Sequence, residues 1–588
     1  MREPGVKCFI ERRRNNSEQE QPEAETSPGL VVLPDAVLLR HGAKVLDPAT
    51  AVSIPGLPPP RSTVYRARTL LVPGDVLRGP DVDVINGVLA EVGMSLVVPD
   101  LPDPDRDGSG GQLRLRLPRP VVLTPLARSD DTLRPPAVVD AWIALQTLRA
   151  AADAQHRDLD RRVVDQISLE HLLIGAAITG SPITEGGGLN GNPITEGGGV
   201  TGPASTDSYL YKGGDGRSPV EVCMDAPDWS TDEHCAMEYG RRAVVAVLDT
   251  GVREHSWLGV KADSSAPGGY RANGFVEVDQ AMQNVIRAQT ATSGSGNLDM
   301  PRQKIEFPWD VPVTAEPLVG ELDTHTGHGT FIAGIVRQVA PRAKVLNLRI
   351  MHSDGIVYEG DLICALGLVA DRVAAAPTGD MSRMVDVVCL SLGYYSESHA
   401  DVVYSSGLKA VIDRLLELGV LVIAAAGNYA SSRRFYPAAF AAKPPPGQIP
   451  LISVGALNPN GSQALFSDAG GWVKAWASGA AMISTFPQDV NGSRGPEVRM
   501  RSHPANELPP DSRGLPASRE SLDPDDYSSG FAAWSGTSFA APLLAAHVAR
   551  SLMRAAARPG SGLRLDGAGA AAAAQRVVAA LEELGWRG

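Results

Sequence analysis

"AVVAVLDTGV", residues 243–252, is an apolar run that stops abruptly on Asp249, Thr250 and Gly251. Six apolar residues in a row, with no polar alternation, suit a strand covered on both faces, as strands of parallel sheets are. The same texture returns in "AKVLNLRIM", "VDVVCLSL", "VLVIAAAG" and "PLISVGAL". Between these runs, "GTFIAGIVRQVA", "DLICALGLVADRVAAA" and "DVVYSSGLKAVIDRLLELG" carry helical spacing. Strands alternating with helices predict an α/β fold over residues 240–588, a parallel sheet with helices on both faces. "DGAGAAAAAQRVVAALEELGW" reads as its closing helix. Sites in such folds gather at the C-terminal ends of the strands, and Asp249 stands at one.

Upstream the texture changes. Residues 1–58 are charged, then rich in proline, and predict a disordered segment. Residues 59–178 predict a small α+β domain. "STVYRARTLLVPG", "MSLVVPDL" and "QLRLRLPRPVVLTPL" read as strands. "DVDVINGVLAEVG" puts Ile85, Val88, Leu89 and Val92 on one helical face, and "PPAVVDAWIALQTLRAAADA" does the same with Val138, Trp142, Leu145 and Leu148. A helical tail is expected to reach "SLEHLLIGAAI". Residues 179–239 form a linker and lead-in, in which PITEGGG occurs twice, beginning at Pro182 and Pro193.

Composition sets limits. The chain has 588 residues, 43% hydrophobic and 21% charged, with a formal net charge of -13. That length predicts more than one domain, with ample core. An acidic chain without a basic cluster is a poor partner for nucleic acid or an anionic membrane. No apolar stretch reaches bilayer length, and the N-terminal residues lack the apolar core of a secretory signal, so a cytoplasmic location without a membrane anchor is expected. Five scattered cysteines make no disulfide framework. Cys364 and Cys389 read as small core residues, while Cys223 and Cys235 are close enough in sequence to pair.

Four polar positions punctuate the α/β region: Asp249 in "VLDTGV", His328 in "GHGTFIAG", Asn428 in "AAAGN" and Ser538 in "SGTSFAAP". Each has an ordinary structural explanation by itself. Asp249 could cap a turn, His328 could sit in a core, Gly427-Asn428 is a common turn, and Gly-Thr-Ser is a good helix start. Together, and in this order, they resemble the subtilisin-like serine peptidases, the subtilases. The resemblance runs over roughly residues 240–556 and implies a subtilisin-like parallel sheet and an endopeptidase acting on protein or peptide substrates. It implies Asp249, His328 and Ser538 as the catalytic triad, with Asn428 and the Ser538 amide as oxyanion donors.

By the same resemblance, "LSLG", Leu390, Ser391, Leu392 and Gly393, pairs with an extended substrate. Ala424, Ala425, Ala426 and Gly427 would line the primary specificity pocket; their small, uncharged lining predicts a preference for Leu, Phe, Tyr or Met before the cut. Close packing of a core strand explains the alanines equally well. No cofactor is implied. Many subtilases hold structural calcium, but no Asp/Asn loop here matches such a site, so metal ligands are none. The unit at 59–178 stands where inhibitory propeptides stand, which predicts that it restrains the peptidase. A regulatory protein partner recruited by that unit is the competing expectation. A catalytically silent binding or scaffold protein on the same fold is the alternative function.

Overall fold

The apolar runs lie side by side in one sheet. The computed structural model describes residues 9–10, 31, 33–53, 59–98, 116–126, 138–177, 216–292, 303–316, 321–376, 381–398, 406–441, 448–491, 499–500, 519–520 and 526–586. Across the sheet the order is Phe9–Ile10, Ala475–Ser478, Leu451–Leu457, Leu421–Ala425, Val387–Leu390, Val244–Asp249, Lys344–Arg349 and Val276–Val278. All neighbours are parallel except Phe9–Ile10, which runs antiparallel to Ala475–Ser478.

Burial on both faces explains the unbroken apolar runs. Along Val244–Asp249, Val245 and Val247 enter one core with Phe331, Ile332 and Phe539. Val244, Ala246 and Leu248 enter the other, with Leu362, Leu366, Leu408 and Val411. This is the period of two expected for a strand, read on both sides at once. Each fully buried Val or Leu contributes about 1.5–3 kcal/mol. The first core is roofed by helices His328–Val339 and Thr537–Ala557, the second by Glu359–Ala374 and Ser406–Glu417. The Val244–Asp249 strand has Lys344–Arg349 on one side and Val387–Leu390 on the other. The chain passes from this strand to Val276–Val278 and Lys344–Arg349 on one side and then crosses to Val387–Leu390 on the other, a reversal that opens a crevice at its C-terminal end.

The N-terminal unit is an antiparallel sheet backed by helices Asp81–Glu91 and Ala141–Asp153, around Leu70, Val72, Ile85, Leu89, Val121, Leu123, Leu145 and Leu148. Asp140 caps the second helix by accepting from the Trp142 and Ile143 amides. Val138 precedes that cap and is 74% exposed, so it does not share the stripe of Trp142, Leu145 and Leu148.

Two expectations are overturned. Residues 33–53 are not disordered: Asp35–His41 is a helix and Ala43–Leu46 a strand paired with Thr63–Pro73. Arg40 reaches Asp323 and Asp354, and His41 lies between Tyr358 and Asp354 at 2.8 Å from each. Local composition could not reveal partners so distant in sequence. The second correction is larger: Ser168–Gly175 is a strand, not a helical tail. All of its residues are buried, and a short run buried all round reads alike as helix or strand. Its first half pairs with Thr63–Pro73, while its second half lies between Ile356–Tyr358 and Leu392–Tyr395. Cys223 and Cys235 are both free thiols. Both PITEGGG repeats lie outside the described residues.

Candidate active site

Asp249 ends its strand, and His328 is the first residue of a helix whose start packs onto the turn after that strand. The approach is close because Gly329 faces Gly251; a Cβ on Gly329 would stand 2.2 Å from the Gly251 carbonyl oxygen. The Gly329 amide donates to Thr250 Oγ1 at 3.0 Å. With the two segments locked, His328 Nδ1 comes 2.8 Å from Asp249 Oδ1, which also accepts from the Thr250 amide. Both side chains are buried. Asp310 steadies the turn before His328 by accepting from the Gly327 amide at 2.6 Å. Burial raises the Asp310 carboxyl to about 6, against the pull of Arg349. Trp534 stands edge-on to the His328 ring, with centroids 5.5 Å apart.

Ser538 is the second residue of the Thr537–Ala557 helix, where amides have no intrahelical acceptor. Pro542 lies inside this helix and cannot donate to the Ser538 carbonyl, so that carbonyl accepts from Ser391 Oγ at 2.9 Å instead. Ser538 Oγ donates to the Ser391 carbonyl at 3.1 Å. His328 Nε2 has no hydrogen-bond partner among the described residues. The Asp-His link is therefore made, and the His-Ser link is not. Asn428 follows the Leu421–Ala425 strand and the Ala426-Gly427 turn. Its Oδ1 accepts from the Thr537 amide and hydroxyl, both at 2.9 Å, and its Nδ2 has no partner among the described residues.

The crevice is filled by the chain itself. The Ser538 amide donates to the Ala176 carbonyl at 2.9 Å, and the Ala176 amide donates to the Ser391 carbonyl at 3.0 Å. The Gly175 amide donates to the Gly355 carbonyl at 2.9 Å, while Leu392 and Gly393 pair with Gly175 and Ile174. The expected substrate strand "LSLG" thus holds a peptide, supplied by the N-terminal unit. Sequence reasoning missed it by giving "SLEHLLIGAAI" the wrong period; its shortness was the available signal.

The remaining expected pocket residues are placed differently. Leu390 and Ala424 are paired within the sheet, and Ala424, Ala425 and Ala426 are fully buried, divided between the two cores. Phe435 was not foreseen. A Cβ on Gly393 would stand 2.4 Å from its ring, and one on Gly427 3.1 Å from it. The ring therefore borders both glycines, and Asp468 Oδ2 lies closer still to Gly427, 2.4 Å from such a Cβ.

Residues 240–561 match the profile of the subtilase family. Subtilisin E of Bacillus subtilis (strain 168) is 29% identical over 177 residues, which is 29% of this chain and 41% of that protein. Subtilisin BL of Lederbergia lenta is 30% identical over 176 residues, 28% of this chain and 56% of that protein. Subtilisin-like protease 3 of Pseudogymnoascus destructans is 27% identical over 189 residues, 31% and 42% of the respective chains. The matched stretches thus span about half the length of these relatives or less. A solved structure of a cold-adapted subtilisin-like serine proteinase overlaps 57% of this chain and 81% of its own, with 18% identity and a TM-score of 0.29.

Proposed function

The chain belongs to the subtilase family, and from that premise we propose that it is a serine endopeptidase whose cleft is held closed by its own N-terminal unit. The observation that carries this reading is the hydrogen bond from the Ser538 amide to the Ala176 carbonyl, beside a His328 already paired with Asp249. A carbonyl accepting from that amide is where a scissile carbonyl has to be if the amide is to hold the developing oxyanion.

The chemistry follows from the groups present. Ser538 Oγ turns from the Ser391 carbonyl towards His328 Nε2, which is free to accept its proton. As Oγ bonds to the carbonyl carbon, the carbonyl π pair moves onto oxygen. The Ser538 amide and Asn428 Nδ2 donate to that oxygen. The tetrahedral species collapses, the C–N bond breaks, and His328 delivers its proton to the leaving amine. Water then attacks the acyl-enzyme by the same sequence, with His328 again as base. Asp249 keeps the proton on Nδ1 and stabilises the imidazolium.

Two features refine the reading. Phe435 narrows the space beside Gly393 and Gly427, so a small residue such as Ala fits before the cut, in place of the large apolar residue expected from the alanines. The Ser168–Gly175 strand brings the Ala176–Ala177 bond to Ser538 in cis, so the encounter is intramolecular. The unit therefore acts as inhibitor while the bond is intact and as first substrate when it is cut.

The test is a fluorophosphonate probe on the full chain, with N-terminal sequencing of any fragments. Labelling at Ser538 and a new terminus at Ala177, both absent in Ser538→Ala, are expected. Labelling that persists in Ser538→Ala overturns the nucleophile. Labelling with no terminus at Ala177 overturns cis processing alone.

A further inference from the structure

Each of the two strands that flank the resident peptide is followed within two residues by a glutamate. Ile356–Tyr358 leads directly into Glu359, the first residue of the Glu359–Ala374 helix. Leu392–Tyr395 is followed by Ser396 and Glu397. The two carboxylates approach one position of the peptide from opposite walls of the cleft, the position held by His171. His171 Nδ1 lies 2.6 Å from Glu359 Oε2, and Nε2 lies 2.8 Å from Glu397 Oε2. The Tyr394 ring stacks on the imidazole, with centroids 4.3 Å apart.

We propose that Glu359 and Glu397 form a cation-binding subsite of the cleft, which selects substrates carrying His, Lys or Arg at the position that His171 occupies in the resident strand. The proposal rests on the peptidase reading and on the register of that strand.

The geometry suits a cation between two ionised carboxylates. A neutral imidazole has one N–H donor and one acceptor nitrogen, yet here both nitrogens face carboxylate oxygens. With both carboxylates ionised, only the doubly protonated ring satisfies both. Burial works against that charge, but attraction from Glu359 and Glu397 outweighs it and lifts His171 to about 10. Glu397 is held down to about 2: burial opposes its charge, and His171 overcomes that opposition. The side chains of all three are no more than 2% exposed. Glu397 Oε1 has no hydrogen-bond partner among the described residues, although Arg149 of the N-terminal unit attracts the carboxylate.

Other charges near this point are Arg149 and the Arg66–Glu170 pair at 3.5 Å, from the N-terminal unit, and Arg433 of the α/β half, which donates to the Ser396 carbonyl next to Glu397. When the unit leaves, its cations leave with it, and the catalytic half keeps two acids on the walls of the groove, with Arg433 behind Glu397. A carboxylate pair in such a groove is costly without a cation. A substrate that supplies one gains the charge-assisted bonds; a substrate with Gln gains neutral ones, and one with Glu is repelled.

The experiment uses the full chain after self-processing and a peptide series built on residues 168–177, with His171 replaced by Lys, Arg, Gln or Glu. Hydrogen bonds to charged groups are worth about 1.5–3 kcal/mol. The expected kcat/KM for the His, Lys and Arg peptides is therefore roughly 10–100-fold above Gln. Glu should be slowest. In the Glu359→Gln/Glu397→Gln protein the ratio of Lys to Gln should collapse towards one. Equal rates across the series in the wild-type chain overturn the subsite while leaving the peptidase intact. Failure to cut any peptide, with no fluorophosphonate labelling, overturns the peptidase reading instead. A second readout is independent of activity: amide exchange of residues 172–176 in the full-length Ser538→Ala protein. His171→Gln should lower protection there at least about tenfold, on the same bond energy, and His171→Lys should restore most of it. Unchanged protection in His171→Gln, or loss in both variants alike, overturns the subsite.

Discussion

Gly175→Ala should loosen the resident strand by a steric route alone. A Cβ at this position would stand 2.5 Å from His325 Cδ2 and Nε2, and 3.3 Å from Met351 Cε. The His325 ring cannot step aside. It is buried, its Nδ1 lies 2.9 Å from Thr324 Oγ1, and its far side abuts Gly355, where a Cβ would come within 2.3 Å of Nδ1. Overpacking of this kind costs typically ~1–3 kcal/mol. At 1.4 kcal/mol per decade, the strand should leave the cleft roughly 5- to 150-fold more often. The assay is amide exchange of residues 172–176 in full-length Ser538→Ala, where cleavage cannot confuse the readout. Protection should fall by that factor in Gly175→Ala, and His325→Ala should return most of it, a coupling that a double-mutant cycle measures directly. Unaltered protection refutes the clash. A loss that His325→Ala leaves uncorrected refutes His325 as its cause.

Asn428→Ala should lower kcat by about 10²–10³ with little change in KM, the magnitude known for the oxyanion asparagine of subtilisin, because its Nδ2 acts on the transition-state oxygen; a change confined to KM would assign it to substrate binding. Phe435→Ala should shift preference before the cut from Ala towards Leu and Phe in a peptide library, and an unshifted profile would mean that the ring does not border the pocket. The N-terminal unit should let go as pH rises. His171 is raised from 6.5 to about 10, so its contribution to binding is complete below 6.5 and is lost as pH climbs through about 10. Onset of peptidase activity after dilution of the full chain should be faster at pH 9.5 than at pH 6, and the difference should disappear in His171→Gln.

Much of the α/β half was legible because its signals are local. Each central strand is buried on both faces, which writes an apolar run into the sequence, and each ends at the crevice, which puts polar residues immediately after it. Asp249, His328, Asn428 and Ser538 stand beside glycines and small residues for the same reason: the backbones must approach closely there, as Gly329 does on Gly251. The alanines at 424–426 were ambiguous, since a small side chain suits a pocket wall and a crowded sheet equally. Phe435 gave no signal, because its ring matters through two glycines that belong to other segments.

The sequence by itself determined the five central strands of the α/β sheet, the helices between them, and the residue types brought to its C-terminal edge, since periodicity and close packing act within a few residues; the outer strands Phe9–Ile10, Ala475–Ser478 and Val276–Val278 were not legible. Only the tertiary structure decided what occupies the crevice. The Ser168–Gly175 segment is buried all round, Glu170 and His171 included, so nothing in its own pattern selects strand over helix or names a neighbour. Its conformation follows from the open edges of Ile356–Tyr358 and Leu392–Tyr395, which supply backbone partners, and from Glu359 and Glu397, which supply the countercharges for His171. Those partners are far away in sequence, and backbone pairing leaves no mark on the side chains that a sequence records.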